Sequence, residues 1–284
     1  MTSPLVSCAE LAASLAGANP PVLLDVRWKL GGPPGRADYD RGHLPGAVYV
    51  DLDTELAGPP GAAGRHPLPD PEALQRTLRA AGVRGDRPVV VYDADNGSIA
   101  ARAWWLLRWA GHERVAVLNG GFAAWTAEGR PVSTDAPAPE PGDITVRAGG
   151  MPVLDPSAAA RLARDGVLLD ARAPERYRGD VEPIDARGGH IPGAVNAPFA
   201  GHVGEDGRWR PAAGLAERFA DLGVREDRPV GAYCGSGVTA ASVVLALEAA
   251  GVTSTAEPAA LYVGSWSEWS GDPDRPVATG AVPG

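Results

Sequence analysis

The sequence predicts an α/β protein of two tandem domains, each a parallel sheet with helices on both faces. Three observations predict it. The chain has 284 residues, which at about 150 residues per domain suggests two domains. Four short motifs recur in the same order half a chain apart. Short apolar, β-branched runs alternate with helical patterns, as in strands joined by crossover helices.

The repeat is explicit. Gly42-His-Leu-Pro-Gly-Ala47 returns as Gly189-His-Ile-Pro-Gly-Ala194, a shift of 189 − 42 = 147. Leu23-Leu-Asp-Val-Arg27 matches Leu168-Leu-Asp-Ala-Arg172, a shift of 168 − 23 = 145. Gly82-Val-Arg-Gly-Asp-Arg-Pro-Val89 matches Gly223-Val-Arg-Glu-Asp-Arg-Pro-Val230, a shift of 223 − 82 = 141. Gly121-Phe-Ala-Ala-Trp125 matches Ser265-Trp-Ser-Glu-Trp269, a shift of 265 − 121 = 144. A period this long is a whole domain, which excludes a solenoid. The expected boundaries are 1–136 and 151–284, with a linker over 137–150 stiffened by Pro137, Pro139 and Pro141 and ended by Gly149-Gly150.

The elements follow in order. Ser7 and Glu10 form a capping box that opens a helix through Leu15. Pro71 suits the first turn of a helix, and Gly82, Gly111, Gly223 and Gly251 follow apolar helices as C-terminal stops. In the second half Val167–Asp170 and Pro229–Tyr233 read as strands. Ser157–Arg164, Ala212–Leu222 and Thr239–Ala250 read as helices. In a parallel sheet ligands gather at the carboxyl ends of strands.

Composition excludes several functions. Hydrophobic residues make up 44% and charged residues 21%, a globular balance. A net charge of −9 argues against nucleic acid or an anionic membrane as partner. Of 26 basic residues only Lys29 is a lysine, so a Schiff base or P-loop would have to use it. Two cysteines, Cys8 and Cys234, allow neither a disulfide scaffold nor a multi-cysteine zinc site. His43, His66, His112, His190 and His202 lack metal-ligand spacing, so no metal or organic cofactor is expected. No basic segment followed by an apolar run opens the chain, and no apolar stretch approaches a membrane span, so a cytoplasmic protein is expected.

Cys234 ends a strand-like run and precedes Gly235-Ser-Gly-Val-Thr239 and an alanine-rich helix. The glycines let the loop curl with its N–H groups inward, and the helix N-terminus adds positive potential. A thiol there is expected to ionise readily, and the thiolate is the nucleophile. A buried structural cysteine is one alternative. A dinucleotide fingerprint is another, since Gly235-Ser-Gly-Val-Thr-Ala240 fits G-x-G-x-x-A with Glu257 downstream, although the motif lies on a late strand. A cysteine phosphatase would need an arginine where Ala240 stands, which excludes it.

With Arg102-Ala-Trp-Trp-Leu-Leu-Arg108, both Gly-His-x-Pro-Gly-Ala boxes and Gly264-Ser-Trp-Ser-Glu-Trp269, the chain resembles a tandem-domain rhodanese sulfurtransferase over nearly its full length. The loop is similar to that of the 3-mercaptopyruvate branch. The resemblance implies two rhodanese-like domains, a persulfide on Cys234, and transfer of its outer sulfur to cyanide or a thiol, such as that of a thioredoxin-like protein. The loop residues Gly235, Gly237, Val238 and Thr239 would hold the substrate, and Ser236 would serve as a catalytic hydroxyl protonating the departing enolate, unless it merely lines the loop. In the first domain Asp93 replaces the cysteine, which leaves that copy inert and fit to wall the cleft.

Donor choice is read from charge. The branch preferring thiosulfate resembles Cys-Arg-Lys-Gly-Val-Thr, whereas this loop carries no cation, which suits a monoanionic keto acid. Thiosulfate remains the alternative donor, and a non-catalytic rhodanese-like binding module the third reading. Arg176 is implied as the carboxylate-binding arginine. The family's second arginine follows Glu-Pro, but Ile184 follows Glu182-Pro183 here, leaving Arg187 or Arg178 as substitutes. His43 and Asp38 resemble a pair placed near the reactive loop with Ser236. Because His43 recurs as His190 in both copies, a structural role in the turn is favoured. The tryptophans are expected in packing, and Cys8 buried and inert. Asp25 and Asp170 are expected to pair with the arginine two residues on.

Overall fold

Strands such as Val22–Asp25 and Val167–Asp170 are apolar on both faces and need cover from both sides. The chain meets this twice, with two five-stranded sheets in which every paired strand runs parallel. The computed structural model describes residues 3–284, which form two units. In the first, β1 (Leu5–Val6), α1 (Cys8–Leu15), β2 (Val22–Asp25), α2 (Arg36–Arg41), β3 (Val48–Tyr49), α3 (Leu52–Glu55), α4 (Pro71–Ala80), β4 (Val89–Tyr92), α5 (Ala100–Trp109), β5 (Val115–Leu118) and α6 (Gly121–Ala127) give the order β1-β5-β4-β2-β3. In the second, β6 (Val153–Leu154), α7 (Pro156–Asp165), β7 (Val167–Asp170), α8 (Pro174–Arg178), β8 (Val195–Asn196), α9 (Ala212–Asp221), β9 (Val230–Tyr233), α10 (Ala240–Ala249), β10 (Ala260–Tyr262) and α11 (Ser265–Gly271) give β6-β10-β9-β7-β8. A 3₁₀ turn over Phe199–His202 lies between β8 and α9. The central strands β4 and β9 therefore aim their carboxyl ends at the two equivalent loops.

The predicted local signals are present. Ser7 and Glu10 close the capping box of α1, and Asp155 caps α7. The predicted strands and helices of the second half lie within a residue or so of their expected ends. In each copy a buried aspartate at the carboxyl end of an interior strand and the arginine two residues on act alike. Arg27 binds Asp25 at 2.6 Å and donates to Gly42 O at 2.6 Å, while Arg172 binds Asp170 at 2.6 Å and donates to Gly189 O at 2.7 Å. Each pair thus ties the end of a strand to a Gly-His box.

Two features were not expected. Residues 137–150 are no free linker: Gly142 N donates to Arg79 O (2.7 Å), Ile144 N to Val83 O (3.3 Å) and Arg147 N to Ala110 O (2.8 Å), with Ile144 buried. Pro59–Leu68 also belongs to the second unit and Gly204–Trp209 to the first. These stretches are equivalent in the repeat, since the shift 209 − 66 = 143 lies within the spread of the motifs. We propose 1–136 and 151–284 as the extents of the two repeats, the folded units departing from them by this exchange. Among the described residues no helix is long and apolar enough to cross a membrane.

Candidate active site

The loop after β9 is held from several sides. Tyr233 at the strand end accepts from Ile191 N at 3.1 Å, and Cys234 is buried. The Cys234 Sγ accepts a hydrogen bond from Gly237 N at 3.1 Å. Gly237 has φ +77°, and a Cβ there would stand 2.4 Å from Val263 O, so only glycine permits this curl. The start of α11 fixes the loop backbone: Trp266 N donates to Cys234 O (3.0 Å) and Ser267 N to Gly235 O (2.9 Å). Ser265 accepts from Cys234 N at 3.1 Å and donates to Tyr262 O at 2.8 Å. To do so it takes φ +54°, the single left-handed non-glycine residue among those described. Ser265 was not foreseen as a site residue; its place opposite Gly121 in the repeat, where φ is also +54°, was the available signal.

The equivalent loop of the first unit turns its N–H groups on a side chain of its own. Asp93 stands at the cysteine's position and accepts from the N–H groups of Asp95 (3.1 Å), Gly97 (2.8 Å), Ile99 (2.8 Å) and Ala100 (3.0 Å). Burial raises its pKa while the four N–H groups work to lower it. This loop is one residue longer: 100 − 93 = 7 positions from Asp93 to the helix, against 240 − 234 = 6 from Cys234. The cradle is filled by its own side chain.

Beside Cys234, Ser236 is 5% exposed and its Oγ lies 2.8 Å from His66 Nδ1. Arg176 binds Glu182 (2.7 Å) and Asp185 (3.0 Å), and Asp185 also pairs with Arg65. Both guanidiniums border the loop. A Cβ on Gly235 would lie 2.9 Å from Arg65 Nη2 and 3.5 Å from Arg176 Nη1. Burial raises the Asp185 pKa against the pull of Arg65 and Arg176, with Glu182 adding to the rise. Burial also opposes ionisation of Glu182, but its hydrogen bond from Arg176 and those from the Asp185 and Ile184 N–H groups prevail and hold it low.

Several expected residues lie elsewhere. Arg187 is no donor ligand: its guanidinium donates to the carbonyls of Ser270, Arg275, Trp269 and Asp272, strapping the end of α11. Arg178 pairs with Asp180 on the surface. His43 is buried, with Nδ1 at Tyr39 O (3.0 Å) and Nε2 at Asp135 O (3.1 Å), and its ring stacks on Tyr39. Its twin His190 makes the same contacts with Tyr177 O (2.8 Å) and Pro283 O (3.3 Å). Both nitrogens are committed to backbone, and Asp38 faces solvent with Arg41, so neither joins Ser236. The histidine at Ser236 is His66. Val238 is buried in the loop and Thr239 forms the N-cap of α10 without a side-chain bond to the helix. Cys8 is buried, and burial, together with nearby Glu128, raises its pKa. Among the described residues no cluster of three or more His, Cys, Asp or Glu could hold a metal ion.

The chain matches known proteins along nearly its whole length. The rhodanese-like domain model matches residues 7–128 and 155–272. The chain is 46% identical to a Mycobacterium tuberculosis protein provisionally named thiosulfate sulfurtransferase SseB, over 98% of each. It is likewise 46% identical to a Pseudomonas aeruginosa protein provisionally named 3-mercaptopyruvate sulfurtransferase, over 97% of this chain and 98% of the other. Among solved structures, SseA of Escherichia coli, described as a 3-mercaptopyruvate sulfotransferase, superposes with a TM-score of 0.81 at 32% identity, over 94% of this chain and 100% of that one.

Proposed function

The chain belongs to the rhodanese family, with a rhodanese-like domain in each half, and from that premise we propose that it is a sulfurtransferase using 3-mercaptopyruvate through a persulfide on Cys234. The observation that carries the donor is the Ser236–His66 hydrogen bond beside Cys234. The Cys234 thiolate attacks the donor sulfur, an S–S bond forms and the C–S bond breaks, and the electron pair leaves as the enolate of pyruvate. That carbon needs a proton, and the donor's own thiol proton, passed through Ser236 with His66 as its base, supplies it. The products are pyruvate and the persulfide anion. Sulfite leaving from thiosulfate requires no such proton.

The loop then serves the persulfide as the first unit's loop serves Asp93, with N–H groups directed at an anion. In the second half-reaction cyanide or a thiolate takes the outer sulfur, and Cys234 returns as the thiolate. A cysteine cycling between these states suits a reducing compartment such as the cytoplasm. Thiosulfate is the second reading, favoured by the guanidiniums of Arg65 and Arg176 at the loop.

Steady-state kinetics with each donor tests the assignment, and a higher kcat/KM on thiosulfate would reverse it. Mass spectrometry after donor treatment should find one added sulfur on the wild type and none on Cys234→Ser, while Cys8→Ser stays competent. A persulfide retained in the Cys234 variant would end the reading, and silence with both donors would favour a non-catalytic module.

A further inference from the structure

The donor's carboxylate lacks its expected second arginine, because exposed Ile184 stands after Glu182-Pro183. Arg187 is committed to four carbonyls and Arg178 to a surface pair, so neither replaces it. The cation at the loop comes instead from Pro59–Leu68. We propose that Arg65 is the second donor-binding arginine, acting with Arg176 as a two-guanidinium clamp for the donor's carboxylate. The proposal deepens the sulfurtransferase reading and rests on it for the donor's identity.

Position, support and unused capacity favour Arg65. Its Nη2 is the nearest atom to a Cβ on Gly235, at 2.9 Å, with Arg176 Nη1 at 3.5 Å, so both forks face one side of the Cys234 loop. The backbone beneath is fixed: Arg65 N donates to Ser267 Oγ at 3.1 Å, and Gly64, at φ +99°, presses so close that a Cβ would stand 2.6 Å from Gly264 O. The Nε of Arg65 is buried and makes no hydrogen bond among the described residues. Asp185, 4% exposed, accepts from both arginines and holds the forks together from one side. A carboxylate entering from the loop side meets two preoriented forks, which arginine binds bidentately and lysine does not. Gly235 fits this reading, since any side chain there would occupy the clamp.

The test uses alkylation of Cys234, which needs no sulfur transfer. Iodoacetate carries a carboxylate and iodoacetamide does not, so the ratio of their rates reports a carboxylate-binding cation at the thiol. Arg65→Gln should lower that ratio by about tenfold or more, as expected for loss of a charge-assisted hydrogen bond, with the iodoacetamide rate within about twofold of wild type. The KM for 3-mercaptopyruvate should rise in parallel. Arg178→Gln should match wild type. An unchanged ratio in Arg65→Gln, or an equal fall in Arg178→Gln, would overturn the proposal. Arg65→Lys keeps the charge and should recover part of the loss; a lysine variant no better than glutamine would assign the effect to packing and overturn it as well. Absence of persulfide from the wild type would refute the sulfurtransferase reading, while the alkylation ratio still judges Arg65.

Discussion

Ser236→Ala separates a hydroxyl that lines a loop from one that delivers a proton. In the resting protein the variant removes one side-chain hydrogen bond, that to His66 at 2.8 Å. Such a bond contributes about 0.5–1.5 kcal/mol, which would change affinity by about 2- to 12-fold. A proton delivered in the transition state is worth about 10²- to 10⁴-fold, or about 2.7–5.4 kcal/mol. The two roles therefore differ in size and in the constant they move. With 3-mercaptopyruvate, kcat should fall at least about 100-fold, followed as pyruvate release. With thiosulfate, followed as thiocyanate from cyanide, kcat should stay within about tenfold, because no carbon is protonated. Equal losses on the two donors, or a loss confined to KM, would refute the proton-delivery role.

Other variants probe the frame. Asp93→Ala leaves four N–H groups without their acceptor and should destabilise the first unit by about 2–4 kcal/mol, read from denaturant midpoints; an unchanged midpoint would mean water replaces the carboxylate without cost. Arg187→Ala should lower Tm by about 4–8 °C, from about 2 kcal/mol of lost hydrogen bonds, with the donor KM unchanged; a raised KM at constant Tm would return Arg187 to the donor site. The Asp185 pKa is raised above its ordinary 3.8, so the native state holds that proton more tightly than the unfolded chain. Its contribution is full below that value and lost as pH rises through the folded pKa. Asp185→Asn should therefore gain Tm relative to wild type as pH rises above about 4 toward 7, and a gap independent of pH would contradict the shift.

The reactive loop was legible because strand, glycines and helix are contiguous, and local chemistry alone predicts the curl around Cys234. The Asp-x-Arg pairs were legible because the repeat shows each twice. His66 was not. It lies 236 − 66 = 170 positions from Ser236, in a stretch with no motif, and only the fold brings the two together. His43 drew attention because it sits in a recognisable box, yet that box uses its histidine to join backbone carbonyls in both copies. Arg65 was hidden for the same reason as His66, and the strained Ser265 because a positive φ on serine leaves no local trace in sequence.

The exchange of Pro59–Leu68 for Gly204–Trp209 makes the chain formally a domain-swapped dimer whose two protomers share one polypeptide. Each stretch ends on the other copy's loop: His66 on Ser236, and Trp209 on Asn96, to whose carbonyl it donates at 2.6 Å. A swapped pair cannot be divided without loss to both members. The second half expressed alone would keep Cys234 and lose His66 and Arg65. The first half has no cysteine at its own loop, yet it encodes His66 and Arg65, which reach the loop of Cys234.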